Sequence, residues 1–282
     1  MDSDWLALQI RDACRAEVLA PKVGNVHPGA SFVDLTAEHF LASAEVIAPV
    51  MGMAEQYSVG EMILSAVRAT REVAPSNTNL GIILLLAPMA RGVARGGNLR
   101  KGFDEVLREL TIEDARLAYR AIREATAGGM GKVDEQDIVA EPTVTLLEAM
   151  RLAAERDSIA RAYVTGMADL WEMQERVYRP ALEAGVSREE AIVWCHLVWM
   201  ARFPDTLIAR KCGESVARES ARRARDVVDR WRAGAADLPA SGLLASADLA
   251  NLDHWLREDG HRRNPGTSAD LVAGTSFLDL VT

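Results

Sequence analysis

The chain has 282 residues, 49% of them hydrophobic and 26% charged, and its 32 basic and 41 acidic side chains leave a formal net charge of −9. That composition excludes a disordered chain, and the length suffices to bury a core without disulfide staples. The acidic balance removes any global attraction to nucleic acid or to an anionic membrane, so an anionic ligand would have to be a small molecule held where basic groups converge locally.

Apolar residues recur with helical periodicity along nearly the whole chain, and two-residue alternation is almost absent. From Asp4 to Ala20 the residues Leu6, Ile10, Cys14 and Val18 form one stripe, which Pro21 stops. Thr36 can cap a second helix that carries Phe40, Leu41, Ala44 and Ile47 up to Pro49. Ser58 and Glu61 form a capping box that opens a third helix, ending before Pro75. A fourth helix starts after Asn79 and includes Ile82 to Leu86; being apolar on every side, it is expected at the centre of the fold. Thr111 with Asp114 starts another, closed by Gly128 and Gly129. Ser158 to Ala184 is one long periodic stretch broken mildly at Pro180, and Ser187 with Glu190 opens a helix that ends before Pro204. Glu214 to Trp231 is an Arg-rich helix, and Thr267 or Ser268 caps the last one, through Leu278. These signals predict an all-α fold, a compact bundle of roughly ten helices in a single domain over residues 1–282.

Cys14, Cys195 and Cys212 are an odd set without zinc or CxxC spacing, so they read as thiols in a reducing compartment. The acidic, amphipathic N-terminus is unlike a signal peptide, and the longest apolar run, Leu80 to Ala90, is too short to span a bilayer. A cytoplasmic protein with no membrane partner is expected, and no zinc, haem or flavin.

Four segments between helices carry more polar groups than connectors need. The first, Pro21 to Phe32, holds Lys22 as a point charge, Gly24 and Gly29, and the hydrogen-bonding groups of Asn25, His27 and Ser31. That set suits a phosphate or a ribose, or else a long connector whose glycines supply positive φ. The second, Asn77-Thr78-Asn79-Leu80-Gly81, offers three capping residues where one suffices, at the start of the apolar helix. The third, Phe203 to Gly213, places Thr206 and Arg210 four apart on one helix face beside Asp205. The fourth, His261 to Asp270, ends on Ser268 and Asp270 at a helix start.

Taken in order, these segments resemble the triphosphoribosyl-dephospho-CoA synthase family, all-helical enzymes that make a prosthetic-group precursor. The shared pattern runs Pro21, Gly24, Asn25, Gly29, Ala30 and Ser31 with Asp34 a little further on, then Asn77, Thr78 and Gly81. It continues with Asp205, Thr206, Arg210 and Gly213, and ends with Pro265, Gly266, Ser268, Ala269, Asp270 and Leu271. Where the citrate-lyase members typically read Asn-Thr-His-Lys-Gly, this chain has Asn79 and Leu80.

The resemblance implies transfer of the triphosphoribosyl group of ATP to a ribose hydroxyl of dephospho-CoA, with release of adenine. It implies Asp34, Asp205 and Asp270 as the catalytic carboxylates. Lys22, Asn25, His27, Gly29, Ser31, Asn77, Thr78, Asn79, Gly81, Thr206, Arg210, Gly213 and Ser268 would bind substrate, with Mg2+ accompanying ATP. Asp34, Asn77, Asp205 and Asp270 are expected around one cavity with Lys22 and Arg210 at its mouth, at least one carboxylate having a raised pKa from crowding or sharing a metal ion. A nucleotide-dependent transferase acting on another acceptor in cofactor biosynthesis, and a non-enzymatic helical binding protein, are the competing readings.

Overall fold

The computed structural model describes residues 2–33, 35–75, 78–126, 141–234 and 242–282. Among them there is no strand, only an isolated bridge between His27 and Ala30. The fold is all-helical, and its helical segments outnumber the ten expected. Three short helices escaped the periodicity reading: α5 (Leu99–Glu109), α7 (Leu146–Ala153) and α14 (Ala247–Arg257). Each is opened by a side-chain cap, from Asn98, Thr145 and Ser246 respectively.

The chain resolves into two compact units, one of residues Met1–Arg15 and Glu38–Ala168 with Val281, the other of Ala16–Ala37 and Asp169–Leu280 with Thr282. The first unit holds most of α1 (Ser3–Leu19), α2 (Ala37–Gly52), α3 (Val59–Val73), α4 (Leu80–Ala94), α5, α6 (Ile112–Thr126), α7 and α8 (Ser158–Val164). The Ser58–Glu61 capping box opens α3 as expected. Thr111 and Asp114 cap α6 reciprocally, and the second carboxylate oxygen of Asp114 accepts from Gly60 N at 2.7 Å, fastening α6 to α3. α2 runs past Pro49 to Gly52, because a proline so near a helix end removes one bond without breaking the turn. α4 packs on α3, α5, α6 and α8 and is buried from Ile82 through Ala90. The buried Tyr163 hydroxyl of α8 donates to the Leu84 carbonyl at 2.5 Å. The glycines expected to close α6, Gly128 and Gly129, lie outside the described residues.

The second unit begins with the last turn of α1 and the loop after it, and continues with α9 (Ala168–Met173), a π turn (Gln174–Tyr178), α10 (Arg179–Glu183) and α11 (Arg188–Arg202). It ends with α12 (Thr206–Cys212), α13 (Glu214–Gly234), α14 and α15 (Gly266–Val281). α11, buried from Ala191 to Ala201, packs on α13 and the π turn, and Trp199 donates to Thr275 of α15 at 3.2 Å. The stretch read as one helix over 158–184 breaks at Gly166 and Met167, both at positive φ, and the milder interruption expected at Pro180 is the π turn that ends just before it. Pro180, which cannot donate a backbone hydrogen bond, lies in the first turn of α10 directly after that π turn. No single helix among the described residues is long and apolar enough to cross a membrane.

Candidate functional site

The loop leaving α1 is anchored by a buried charge. Lys22, expected at the mouth of a cavity, is 0% exposed; its ammonium pairs with Glu17 at 2.9 Å and donates to the Glu17 and Ala20 carbonyls. The physical reason is local. Pro21 ends α1 and leaves carbonyls without partners, and a lysine two to five residues on can reach back to cap them. Burial pushes the Glu17 carboxyl up in pKa, and Lys22 partly offsets it. His196 of α11, also fully buried, approaches the Val23 carbonyl with Nε2 at 3.3 Å. Burial first and Lys22 second lower its pKa to about 3, so it stays neutral, the core histidine that its place on an apolar helix implies.

Beyond Lys22, α14 clamps the loop at two points. Asp253 accepts from Gly24 N at 2.7 Å, and Arg257, paired with Asp253 at 2.8 Å, donates to the Asn25 carbonyl at 2.6 Å. Gly24 has φ +68°, and a Cβ there would stand 2.8 Å from Leu256, so glycine is needed for both conformation and space. The Asn25 carboxamide donates to Asn264 at 2.9 Å, joining the loop to the turn before α15.

That turn is interlocked with α12 through Asp205. One oxygen of Asp205 accepts from Leu207 N and Ile208 N at 2.9 and 3.1 Å, capping α12. The other accepts from Ser268 N and Oγ at 2.7 and 2.8 Å, capping α15 from another helix. The expected cap from Thr267 or Ser268 itself is therefore replaced: Thr267 meets Thr206 at 3.2 Å instead, and Ser268 is a donor. Gly266 permits the approach, since a Cβ there would lie 2.6 Å from Leu207 Cδ2. Asp205 does have a raised pKa, but its cause is desolvation by burial and not a neighbouring carboxylate; the Ser268, Ile208 and Leu207 donors pull the other way.

Aromatic and cationic side chains add further contacts in the same unit. Arg257 lies over the Phe32 ring at 5.5 Å, and Phe32 meets His261 edge-on at 5.7 Å. Lys211 reaches the His261 carbonyl at 3.5 Å, and Arg210 on α12 is exposed. His27 is half-buried; desolvation lowers its pKa, followed by Arg257 and Lys22, against a smaller pull from Asp253. Gly29 N donates to its Nδ1 at 3.2 Å, so the neutral ring carries its proton on Nε2 and offers a donor. Gly29 and Ser31 are exposed at the loop tip, and Gly213 ends α12 at φ +90°.

The second segment belongs to the first unit. Thr78 is buried and its hydroxyl meets Ser43 of α2 at 2.7 Å; Ser43 in turn donates to the His39 carbonyl at 2.7 Å. Asn79 occupies the N-cap position of α4 without making the side-chain cap, and Gly81 is half-buried in the first turn. Three of the four segments thus meet within the second unit, joined by Asn25–Asn264, Phe32–His261 and Asp205–Ser268. Asp34 and Asn77 lie outside the described residues, and Asp270 is half-buried in the second turn of α15.

Four residues important to this architecture went unread in the sequence: Glu17, Asp253, Arg257 and Asn264. The i, i+4 spacing of Asp253 and Arg257 was the one available signal, and it reads equally as an ordinary surface pair. No group of three or more His, Cys, Asp or Glu side chains placed to hold a metal occurs among the described residues.

A family model described as CitG, ATP:dephospho-CoA triphosphoribosyl transferase, matches residues 3–282. Among solved structures, that of a candidate triphosphoribosyl-dephospho-coA synthase from Archaeoglobus fulgidus is similar at 26% identity and a TM-score of 0.66, covering 86% of this chain and 98% of that one. No curated protein matches the chain.

Proposed function

The chain belongs to the ATP:dephospho-CoA triphosphoribosyl transferase family, and from that premise we propose how its own residues divide the work. A ribose hydroxyl of dephospho-CoA attacks C1′ of ATP, the C1′–N9 bond breaks, and the triphosphate stays on the transferred sugar. Adenine leaves, taking up overall the proton that the hydroxyl gives up. The transition state is oxocarbenium-like, so the reaction needs a carboxylate close to C1′ and cations along the triphosphate.

We assign the carboxylate role to Asp270, with Asp34 as its candidate partner, and give Asp205 a positioning role. Asp270 belongs to the last motif segment and is half-buried on α15; both oxygens of Asp205 hold helix starts, which is the positioning role given to it. Arg210 and the Nε2–H of His27 serve as phosphate ligands, with the exposed backbone around Gly29 and Ser31 beside them. Lys22 and Asn25 hold the loop that carries them. Magnesium would come with ATP and would offset part of the triphosphate charge; no protein residue is assigned to hold it, in keeping with its habit of using few protein ligands. The family match runs across both units, so residues 1–282 act as one transferase, with α4 as its central apolar helix and the cytoplasm as its compartment.

The observation that carries this reading is the family match over 3–282. Its test is release of adenine from ATP on addition of dephospho-CoA, with a matching mass gain on the acceptor. Arg210→Ala should weaken ATP binding by about 10- to 150-fold, the worth of a charge-assisted hydrogen bond, with little change in melting temperature. No adenine release from the wild-type protein with these substrates would overturn the assignment.

A further inference from the structure

We infer that Arg257 of α14 is a positioning residue of the transfer reaction, its one guanidinium gripping both legs of the turn that presents His27. This rests on the phosphate-ligand role given to His27 above and names the residue through which that role is set. Arg257 is fastened to its own helix by Asp253, with Nε 2.8 and 2.9 Å from the two carboxylate oxygens. A terminal nitrogen donates to the Asn25 carbonyl at 2.6 Å, and the guanidinium carbon lies 5.5 Å from the centre of the Phe32 ring. Between these two holds the chain reverses. His27 N donates to the Ala30 carbonyl at 3.2 Å, and Ala30 N donates to the His27 carbonyl at 2.9 Å. Pro28, Gly29 and Ser31 at the tip are exposed. The leg that leaves and the leg that returns thus meet on one side chain, itself 19% exposed.

The root of the loop is held by other bonds. Gly24 N donates to Asp253, the Asn25 carboxamide donates to Asn264, and Lys22 pairs with the buried Glu17. Arg257 adds the hold on Phe32, where the turn comes back, so its loss frees the tip and spares the fold. A guanidinium suits these duties: its fork serves a carboxylate and a carbonyl in different directions while its weakly hydrated face meets a ring. A lysine ammonium has no such face. Ordering a ligand-bearing turn before the ligand arrives removes that entropy cost from binding. The charge of Arg257 has a second effect. The neutral ring of His27 accepts from Gly29 N at Nδ1, and a protonated ring would lose that bond. Burial is the largest cause lowering the His27 pKa; among charged groups, Arg257 of α14 and Lys22 of its own loop lower it further, against Asp253 of α14.

Two variants separate the grip from the charge: Arg257→Met removes both, and Arg257→Lys keeps the charge without the fork. In Arg257→Met the affinity for ATP by calorimetry should fall about 10- to 150-fold, the worth of a charge-assisted bond that a loose turn cannot hold. KM for ATP should rise with it while kcat stays within about threefold, the pattern of lost ground-state binding. Arg257→Lys should lose most of the same affinity. His27→Ala should mimic the loss, and adding Arg257→Met to it should cost less than about threefold more, because the two act through one contact. By NMR, His27 should titrate higher in Arg257→Met than in the wild type and stay in place in Arg257→Lys. Amide exchange should quicken at Gly29 and Ala30 and not at Ser268. An unchanged ATP affinity in Arg257→Met, or additive losses in the double variant, overturns the inference. So does loss of cooperative melting in both variants, which would make Arg257 a purely structural residue. Should the wild-type protein release no adenine, the transferase reading falls, and the same cycle of ATP affinities still decides the positioning role. A wild-type protein that binds no ATP overturns both.

Discussion

Replacing Asp205 by alanine removes four hydrogen bonds at once and exposes the starts of two helices that no other side chain caps. Loss of an N-cap costs about 1 kcal/mol at each helix, with a range of about 0.5–2. The Ser268 hydroxyl adds roughly 0.5–1.5 kcal/mol for its own lost bond. Some of this is returned because a carboxylate no longer has to be desolvated, so a net loss of about 2–4 kcal/mol follows. For a chain of this size each kcal/mol lowers the melting temperature by about 2–4 °C, giving a fall of roughly 5–15 °C by scanning calorimetry. Asp205→Asn should lose about half as much, since one carboxamide oxygen can satisfy one pair of donors while the amino group opposes part of the other. The two helices should loosen together, with faster amide exchange at both Ile208 and Ser268. A catalytic base would behave otherwise. If Asp205→Asn melts within 2 °C of the wild type while kcat falls more than a thousandfold, the positioning role is wrong and Asp205 belongs to the reaction.

Lys22→Met strands Glu17 in the interior and should cost about 3–5 kcal/mol; the Glu17→Leu/Lys22→Met double variant should recover most of it, as denaturant titration of the three proteins would show. His196 has its pKa lowered from 6.5 to about 3, so its contribution to stability is whole above pH 6.5 and is lost as pH falls toward 3. Each unit in that window costs about 1.4 kcal/mol, and His196→Gln, which can still donate to Val23, should flatten this part of the stability–pH curve; an unchanged slope would place the acid sensitivity elsewhere.

The helical class and many of the helix starts were legible because they are local. Ser58 and Glu61, or Thr111 and Asp114, sit three residues apart and cap the helix that follows them. The break at Gly166 and Met167 went unread although glycine is a common helix stop, because the apolar periodicity resumes directly after it. The motif residues of the second unit were legible as unusual, but their roles were not. Asp205 and Ser268 stand 63 positions apart, Asn25 and Asn264 stand 239 apart, and no rule of spacing joins either pair. Lys22 was misplaced for a related reason: a lone lysine after a helix-stopping proline reads the same whether it faces solvent or turns back on the helix end.

Hydrogen-bond saturation marks the groups that build this unit. A carboxylate in proton transfer must accept a proton, and one already accepting from Leu207, Ile208 and Ser268 can do so only by releasing donors that hold two helix starts in place. That release would loosen α12, which carries Arg210, the phosphate ligand proposed above. Base and double cap are therefore incompatible duties for Asp205, and the geometry has filled the second. The same reasoning applies to Lys22, whose ammonium has one carboxylate and two carbonyls as partners and no proton left for a phosphate. His27 differs, because the bond from Gly29 occupies one ring nitrogen and thereby commits the other to donation. The second unit thus spends the buried charges of Lys22, Glu17 and Asp205 on holding its loop segments and helix starts, and Arg210 and His27 are the residues we propose for the triphosphate.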